Sequence, residues 1–544
     1  MAYKKTWAEN PDQLNKDELR KLDRDGLDIL NDIEYYAANG FDSIPKEDWP
    51  TFKWAGLYLQ RPKEDGYFMM RVNIPSGIIT NDQIEALASI GRDYGRGVID
   101  ITTRQAIQFH WLEIEQLPDI FNRLEKVGLS SVGACGDIPR TIVGNPLAGI
   151  DPDELMDTRE IVEDVFQFFQ RNPDFSNLPR KFKTSISSNI HNAGHDMINC
   201  LAFTPAVKEI DGEEIIGFHV KVGGGLSAKP YLAEEIDAFV RPERVKDVAI
   251  AVATIFRDFG YRQKRHRARL KFLVADWGAE AFLQKLIEYT GELPSKGIDK
   301  TEDWNGGYFY GVHPQKQEGL SYVGFNVPVG RMDSAEWFEL ARIARKYGSG
   351  EVRTCNSQNL IIPGVPNNKT DEMLNEHLFE RITTEPDNFM AYSVSCTGIE
   401  YCNLAVVETK ERMRRVAEYL DNEISLDVPV RLHMVGCPNS CGQRQIADIG
   451  FQGMKMRTKD KQMIDAFELH VGGTLEKGVA QFNKKLKGKI DAEILPEVVK
   501  ELLIHFDEQK EDSETFFAYV ERTGLTALQE KLDAVLASRQ EQGA

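Results

Sequence analysis

Cysteine is scarce: seven in 544 residues, and an odd number. That is too few to staple so long a chain in the way small secreted domains are stapled, so the thiols are expected to be reduced and available as ligands. No window offers about 18 consecutive apolar residues, which excludes a membrane-spanning helix on the sequence pattern. The two lysines of MAYKKTWAENPDQLNKDELRK are not followed by the apolar stretch of an export signal. A soluble, cytoplasmic protein is the expectation. Basic residues are in deficit as well. With 66 Lys and Arg against 85 Asp and Glu, the net charge is −19, and the chain as a whole repels nucleic acid and anionic membranes. No Gly-x-Gly-x-x-Gly unit stands between a strand and a helix with an acid downstream. The chain therefore has no nicotinamide or flavin domain of its own, and electrons for redox chemistry must come from a separate carrier.

What is present is duplication. RVNIPSG (71–77) returns as GFNVPVG (324–330), and the register continues without a gap from RDYGRGVIDITTRQ (92–105) to RKYGSGEVRTCNSQ (345–358). A second pair, GFHVKVGGGLS (217–227) and AFELHVGGTLE (466–476), repeats at an offset of 249 residues. Each first module reads as strand, Pro-Gly turn, helix, strand, which is mixed α+β layering. Where the halves differ in reactive type, one of them holds the site: Arg71 faces Gly324 and Arg104 faces Ser357, whereas the paired cysteines lie in the second half. A site between the halves would use both.

Four of the seven cysteines form two tight pairs, CTGIEYC (396–402) and GCPNSC (436–441). Thiolates bind soft metals, and four satisfy either tetrahedral zinc or a cubane iron–sulfur cluster. Structural zinc favours two-residue gaps within each pair; the wider gaps here fit a larger cluster better. The pattern around the first pair predicts a strand at AYSVS leading into an amphipathic helix with Val406, Met413, Val416 and Leu420 on one stripe, so that Cys402 lies near its first turn. Pro438 keeps the second pair in a loop whose amides can point at sulfur. Cys200 and Cys355 read as structural.

These segments, together with ITTRQAIQFH, DIPRTIVGNPLAGID and LPRKFK, closely resemble the siroheme-containing sulfite and nitrite reductases, the ferredoxin-dependent branch in particular. The likeness runs from about residue 50 to about 510 and includes the internal repeat. It implies an α+β fold in which ferredoxin-like α/β modules alternate with larger mixed modules. The expected division is a helical arm over 1–55, ferredoxin-like modules over 56–128 and 306–385, a substrate and siroheme module over 129–305, and an iron–sulfur and siroheme module with closing helices over 386–544.

The resemblance further implies a [4Fe–4S] cluster on Cys396, Cys402, Cys437 and Cys441, with the Cys441 sulfur shared as axial ligand of the siroheme iron. Siroheme carries eight carboxylates, so its pocket must be basic or rich in donors; Arg104, Gln108, His110 and Asn439 are the expected members. Arg71, Arg140, Lys181 and Lys183 are expected to hold a small oxyanion and protonate its departing oxygens. Lysines 181 and 183 would share one face of a strand. Lys183, where nitrite-reducing relatives tend to carry asparagine, favours sulfite over nitrite as substrate. Ferredoxin is the expected electron donor and a monomer the expected state. A protein in which the four thiolates only hold zinc or a cluster for structure is the competing class. Similar sulfite reductases join a cysteine at the position of Cys135 to a tyrosine, for which Tyr58 is the candidate. The one dense basic run, RQKRHRARLK (262–271), could bind siroheme carboxylates, dock ferredoxin or form a solvated face; VGGGLS (222–227) lacks the Lys-Ser/Thr ending of a phosphate loop and reads as a turn common to both repeats.

Overall fold

A computed structural model describes residues 6–458 and 460–542 of the chain. The repeated segment folds the same way twice. Thr80 and Gln83 form a capping box ahead of helix Asn81–Asp93, and Asp333 and Glu336 form the equivalent one ahead of helix Ser334–Tyr347. Each helix buries a stripe at helical spacing, Ile84, Leu87, Ala88 and Gly91 in one and Trp337, Leu340, Ala341 and Ala344 in the other, and the two pack together.

Just ahead of each helix the halves exchange a strand. Ile78–Thr80 pairs antiparallel with Glu351–Arg353 in the second half's sheet, while Arg331–Asp333 pairs with Val98–Asp100 in the first. Each ferredoxin-like sheet therefore has five strands, one borrowed from the other half, and a single hydrophobic core runs through both. The Pro-x-Gly turn makes this crossing possible. Gly77 and Gly330 have φ of +76° and +68°, and a Cβ on Gly77 would lie 2.2 Å from the Thr354 carbonyl oxygen of the opposite half.

The larger modules are also paired. Strands Val143–Gly144, Thr184–Ile186 and Leu201–Ile210 begin one six-stranded sheet with parallel pairing; Ser393–Ser395, Leu432–Val435 and Ile449–Arg457 begin the other in the same way. Long antiparallel hairpins extend both sheets, and each has its own core. Gly223 and Gly472 end equivalent strands with φ of +82° and +78°, so the VGGGLS segment is the expected shared turn. The closing segment is helical over Leu495–Gln509, Phe516–Thr523 and Leu525–Gln542. Among the described residues no helix is long and apolar enough to cross a membrane.

The helix predicted after the first cysteine pair starts later than its pattern suggested. It spans Lys410–Glu423, so Cys402 lies in a loop well before its first turn, and Val406 is exposed rather than on the buried stripe of Met413, Val416 and Leu420. The Cys402 thiol accepts from the Leu404 and Ala405 amides, and the Ile399 and Val406 amides donate to Val407 and Gly436, so the backbone is committed to loop bonds that a helix would break.

Candidate active site between the halves

Parallel strand ends gather the cysteines. Ser395 and Met434 are paired neighbours, so Cys396 and Gly436-Cys437 emerge side by side from the carboxyl ends of adjacent strands, the usual place for a ligand in such sheets. The Cys396 amide donates to the Met434 carbonyl at 3.1 Å. The next loop turns through left-handed Ser440 and Gln443 (φ 55° and 57°) and returns as strand Ile449–Arg457. The first half grips this loop: Thr103 Oγ1 donates to the Cys441 carbonyl at 2.8 Å, and Gln443 Nε2 donates to the Thr103 carbonyl at 3.2 Å.

Cys396 and Cys441 open onto a cavity between the halves. Arg71 comes from strand Phe68–Val72, Arg104 from the turn between strands Val98–Ile101 and Ile107–Leu112, and Gln108 from the second of these. Arg140, Lys181 and Lys183 come from the larger first module, and Gln358, Ser395, Thr397 and Lys410 from the second half. A smaller adjoining cavity shares Thr103, Arg104, Lys183 and Cys441 and continues to His195, Asn199 and Gln443. The chain over 181–183 is extended, with Phe182 buried in the core and both lysines on the cavity wall, as the two-residue spacing predicts.

The cavity is a receptor for anions. Six cations line it, Arg71, Arg104, Arg140, Lys181, Lys183 and Lys410, against one carboxylate, Asp100. That carboxylate is already neutralised. Arg331, on the exchanged strand, binds it with two bonds of 2.7 and 2.9 Å, and His110 Nε2 donates to it at 3.0 Å. Lys410 and Arg331 outweigh burial and hold Asp100 far below the carboxylate range. At an effective dielectric of about 20, like charges about 6 Å apart repel by roughly 3 kcal/mol, so the uncompensated cations raise one another's cost. Burial, reinforced by Arg269, lowers Lys181 to about 7; burial beside Arg104 and Lys181 pushes Lys183 well below its ordinary value. Among the described residues neither lysine's side chain makes a hydrogen bond or ion pair, and Arg71 Nε and Arg104 Nε are buried without an acceptor. Buried donors without acceptors mark a place for a polyanion.

The thiols fit a cluster. Cys441 is an electrostatic neighbour of Cys396, Cys402 and Cys437, so all four lie in one region. Among the described residues no three His, Cys, Asp or Glu side chains converge on a single ion, whereas a cubane spreads its ligands around a larger body. Amide donors surround the sulfurs: Gly436 donates to Cys396 Sγ at 3.3 Å, and the Asn439 amide donates to Cys437. Burial, followed by the Cys441 charge, raises Cys396 to about 12, so a metal is needed to keep its thiolate.

Not every expected residue lines the cavity. His110 lies behind it, stacked on Tyr401 at 3.7 Å between ring centroids and bound to Asp100; it reaches the wall through Gln108 Nε2, which is 3.3 Å from its Nε2, while Gln108 Oε1 accepts from Arg71 at 3.0 Å. Asn439 is exposed on the cysteine loop against Cys437. Tyr58 is 37 % exposed, while the buried Cys135 thiol lies 3.6 Å from Arg71 Nη1. Crowding, followed by the charge of Cys135, raises Tyr58 to about 12. Part of the basic run turns inward: Arg265 binds Asp137, Arg269 Nη2 donates to Cys200 Sγ at 3.3 Å, and Lys271 Nζ donates to the carbonyls of Gly225 and Leu226, while Lys264 and Arg267 are exposed. Lys410, Asp100 and Arg331 were not anticipated. The exchanged strand brings Arg331 to Asp100 from 231 residues away, and sequence comparison of the repeats gives no sign of that pairing.

The repeat generates a second, equivalent location, and the chain fills it. Left-handed Asn192 and His195 correspond to Ser440 and Gln443, which places Asn189 and Ala193 where the second half has Cys437 and Cys441. Left-handed Gln105 receives the Gly144 amide as left-handed Gln358 receives that of Ser395, placing Asn145 at the position of Cys396. Leu147, Ile150, Ala193, Phe309, Tyr322, Cys355 and Ile361 pack together there. At the counterpart of Arg71, a Cβ on Gly324 would meet the Phe309 carbonyl oxygen at 1.4 Å, so no side chain fits.

Comparison with known proteins bears on the substrate. The pattern described as "Nitrite and sulphite reductase 4Fe-4S domain" matches residues 135–293 and 388–539, and "Nitrite/Sulfite reductase ferredoxin-like half domain" matches 60–127 and 313–378. The ferredoxin–nitrite reductase of Synechococcus elongatus is 41 % identical over 91 % of this chain and 96 % of its own length. The assimilatory ferredoxin-dependent nitrite reductase of Haloferax mediterranei is 38 % identical over 96 % and 94 %. The structure of the Mycobacterium tuberculosis NirA protein superposes with a TM-score of 0.89 at 34 % identity, covering 95 % of this chain and 97 % of that one. These relatives overturn the preference for sulfite read from Lys183. The physical reason lies in the surroundings of that amine: burial, and then the charges of Arg104 and Lys181, work against its positive charge. A lysine here therefore does not by itself demand a doubly charged anion.

Proposed function

The chain belongs to the nitrite and sulphite reductase family, and on that premise we propose that it reduces nitrite to ammonia with electrons delivered singly by reduced ferredoxin. The observation that carries the reading is the cavity between the halves, where six cations without a free counter-ion meet two of four clustered thiols. Siroheme and a [4Fe–4S] cluster, the cofactors of this family, supply the electron-transfer chemistry. The protein's part is to bind, orient and protonate. Cys396, Cys402, Cys437 and Cys441 would hold the cluster, with Cys441 also turned to the siroheme; Arg104 and Gln108 would meet siroheme carboxylates.

Arg71, Arg140, Lys181 and Lys183 would hold nitrite. Arg140 is fixed for this, since its guanidinium donates to the carbonyls of Gly136 (3.1 and 2.6 Å) and Ala134 (3.0 Å). Lys181, poised near 7, can give up a proton as a nitrogen–oxygen bond breaks. Steady-state rates with nitrite and with sulfite, using reduced ferredoxin, test the assignment. The expected result is a higher kcat/KM for nitrite; a higher value for sulfite overturns it.

The donor needs a place to dock near the cluster. Leu404 and Val406, two and four residues beyond Cys402, are 64 % and 36 % exposed. Their loop is firmly held: Asn403 Nδ2 donates to the Leu59 carbonyl at 2.7 Å, and Arg61 Nη1 donates to the Ala405 carbonyl at 3.1 Å. A fixed apolar patch with exposed Arg61 beside it suits a small acidic protein. Leu404→Glu is expected to raise the KM for ferredoxin roughly ten-fold while leaving turnover with a small reduced dye unchanged. An equal loss with both donors would place the patch elsewhere.

A further inference from the structure

The arm helix Lys16–Asp23 is not merely laid across the body. Its Glu18 and Lys21 side chains are almost fully buried and bonded to each other at 2.6 Å. Glu18 also receives Arg262, and Lys21 Nζ donates to the Leu178 carbonyl at 2.8 Å and to Asp137 Oδ2 at 2.9 Å. Asp137, with no exposed side-chain surface, is the centre of the cluster. It further receives Arg265 at 2.8 and 3.1 Å and Arg180 at 3.2 Å. Burial would raise this carboxyl; Lys21, Lys53, Arg265 and Arg180 together hold it well below the ordinary range.

The position of this carboxylate matters more than its strength. Asp137 begins the segment that ends in Arg140, and Arg180 immediately precedes Lys181. The two segments are zipped in parallel: the Leu178 amide donates to the Asp137 carbonyl at 2.9 Å, Phe182 to Ile138 at 3.2 Å and Arg140 to Phe182 at 2.9 Å. One strand of this zipper thus carries Arg140, the other Lys181 and Lys183, and like charge drives them apart across the cavity. Asp137 clamps the start of the zipper, three residues before Arg140 and bonded to Arg180, the neighbour of Lys181. The carbonyl oxygen of its neighbour Gly136 also receives Arg140.

The geometry points to Asp137 as a positioning residue for the nitrite-binding cations, with Lys21 of the arm helix as its partner. The inference rests on the nitrite reading of the cavity. Asp137 does not line the cavity itself, so it acts through the loops. Loss of the clamp lets Arg140 and Lys181 separate, which weakens anion binding more than the later chemistry.

Asp137→Asn in the holoenzyme tests this. The expected result is a KM for nitrite raised roughly ten-fold or more, with kcat within about three-fold of wild type. Nitrite titration of the visible spectrum should show the same weakening at equilibrium. A purely structural role predicts a lower melting temperature and less loaded enzyme, with the KM of the loaded fraction unchanged, and that result overturns the inference. Removing one partner of a buried ion cluster is strongly destabilising. If Asp137→Asn therefore fails to load cofactor, Lys21→Met decides: a KM rise of about three-fold supports the clamp, and an unchanged KM refutes it. Absence of nitrite turnover in the wild type would instead refute the substrate assignment.

Discussion

Cys441→Ala is expected to abolish nitrite reduction, leaving less than about a thousandth of wild-type turnover, a barrier increase of roughly 4 kcal/mol or more. The variant should still fold. The first repeat carries Ala193 at the equivalent place between the same left-handed turn residues, so the loop geometry does not depend on the sulfur. The Cys441 backbone is held from outside the loop by Thr103. What the substitution removes is the one thiol of the four that opens onto both cavities. Iron and labile sulfide content, the visible spectrum and dye-driven turnover check the expectation. Cys355→Ala is the control: this thiol is buried in the apolar filling of the second location, and its loss should lower the melting temperature with catalysis retained. Turnover by Cys441→Ala above a tenth of wild type would remove this thiol from the proposed chemistry.

Lys181→Met is expected to reduce kcat/KM for nitrite by about 10²–10³-fold, the usual loss when one donor to developing negative charge is removed. The sign of the pH dependence follows from the same residue. Burial, then the nearby arginine charge, lowers Lys181 to about 7, so its positive charge is lost as pH rises through that value. Nitrite affinity in the wild type should fall as pH rises above about 7, and bound carboxylates shift the midpoint only upward, because they favour the ammonium form. In Lys181→Met the low affinity should vary little over this range. KM measured from pH 6 to pH 9, for both proteins and at fixed ionic strength, tests the assignment. An unaltered pH slope in the variant would shift the role to Lys183 or Arg140.

Much of the site is legible in the chain because its markers are local. The cysteine spacing identifies a soft-metal site without any coordinates, and two-residue spacing places Lys181 and Lys183 on one face of an extended segment, as found. The failures share a cause. The helical spacing of Val406 to later apolar residues suggests a helix whose first turn lies near Cys402, yet hydrogen bonds to Gly398, Leu404 and Ala405 hold a loop there instead. His110 shares a strand face with Gln108, but Tyr401 from the other half stacks on it and closes it off. The run 262–271 left several roles open by composition; Arg262, Arg265 and Arg269 turn inward to Glu18, Asp137 and Cys200, which lie far away in sequence, while Lys264 and Arg267 stay exposed.

Duplication and a thiol-based metal site are already decided by residue type and order, since these follow from covalent spacing. Three matters wait for the folded chain: which of two repeated locations stays open, which cations face each other across it, and how strongly burial opposes the charge of Lys183. Burial and charge act through space, and the strand exchange brings together residues more than two hundred positions apart. The potential at the cavity wall is therefore a property of the assembled halves.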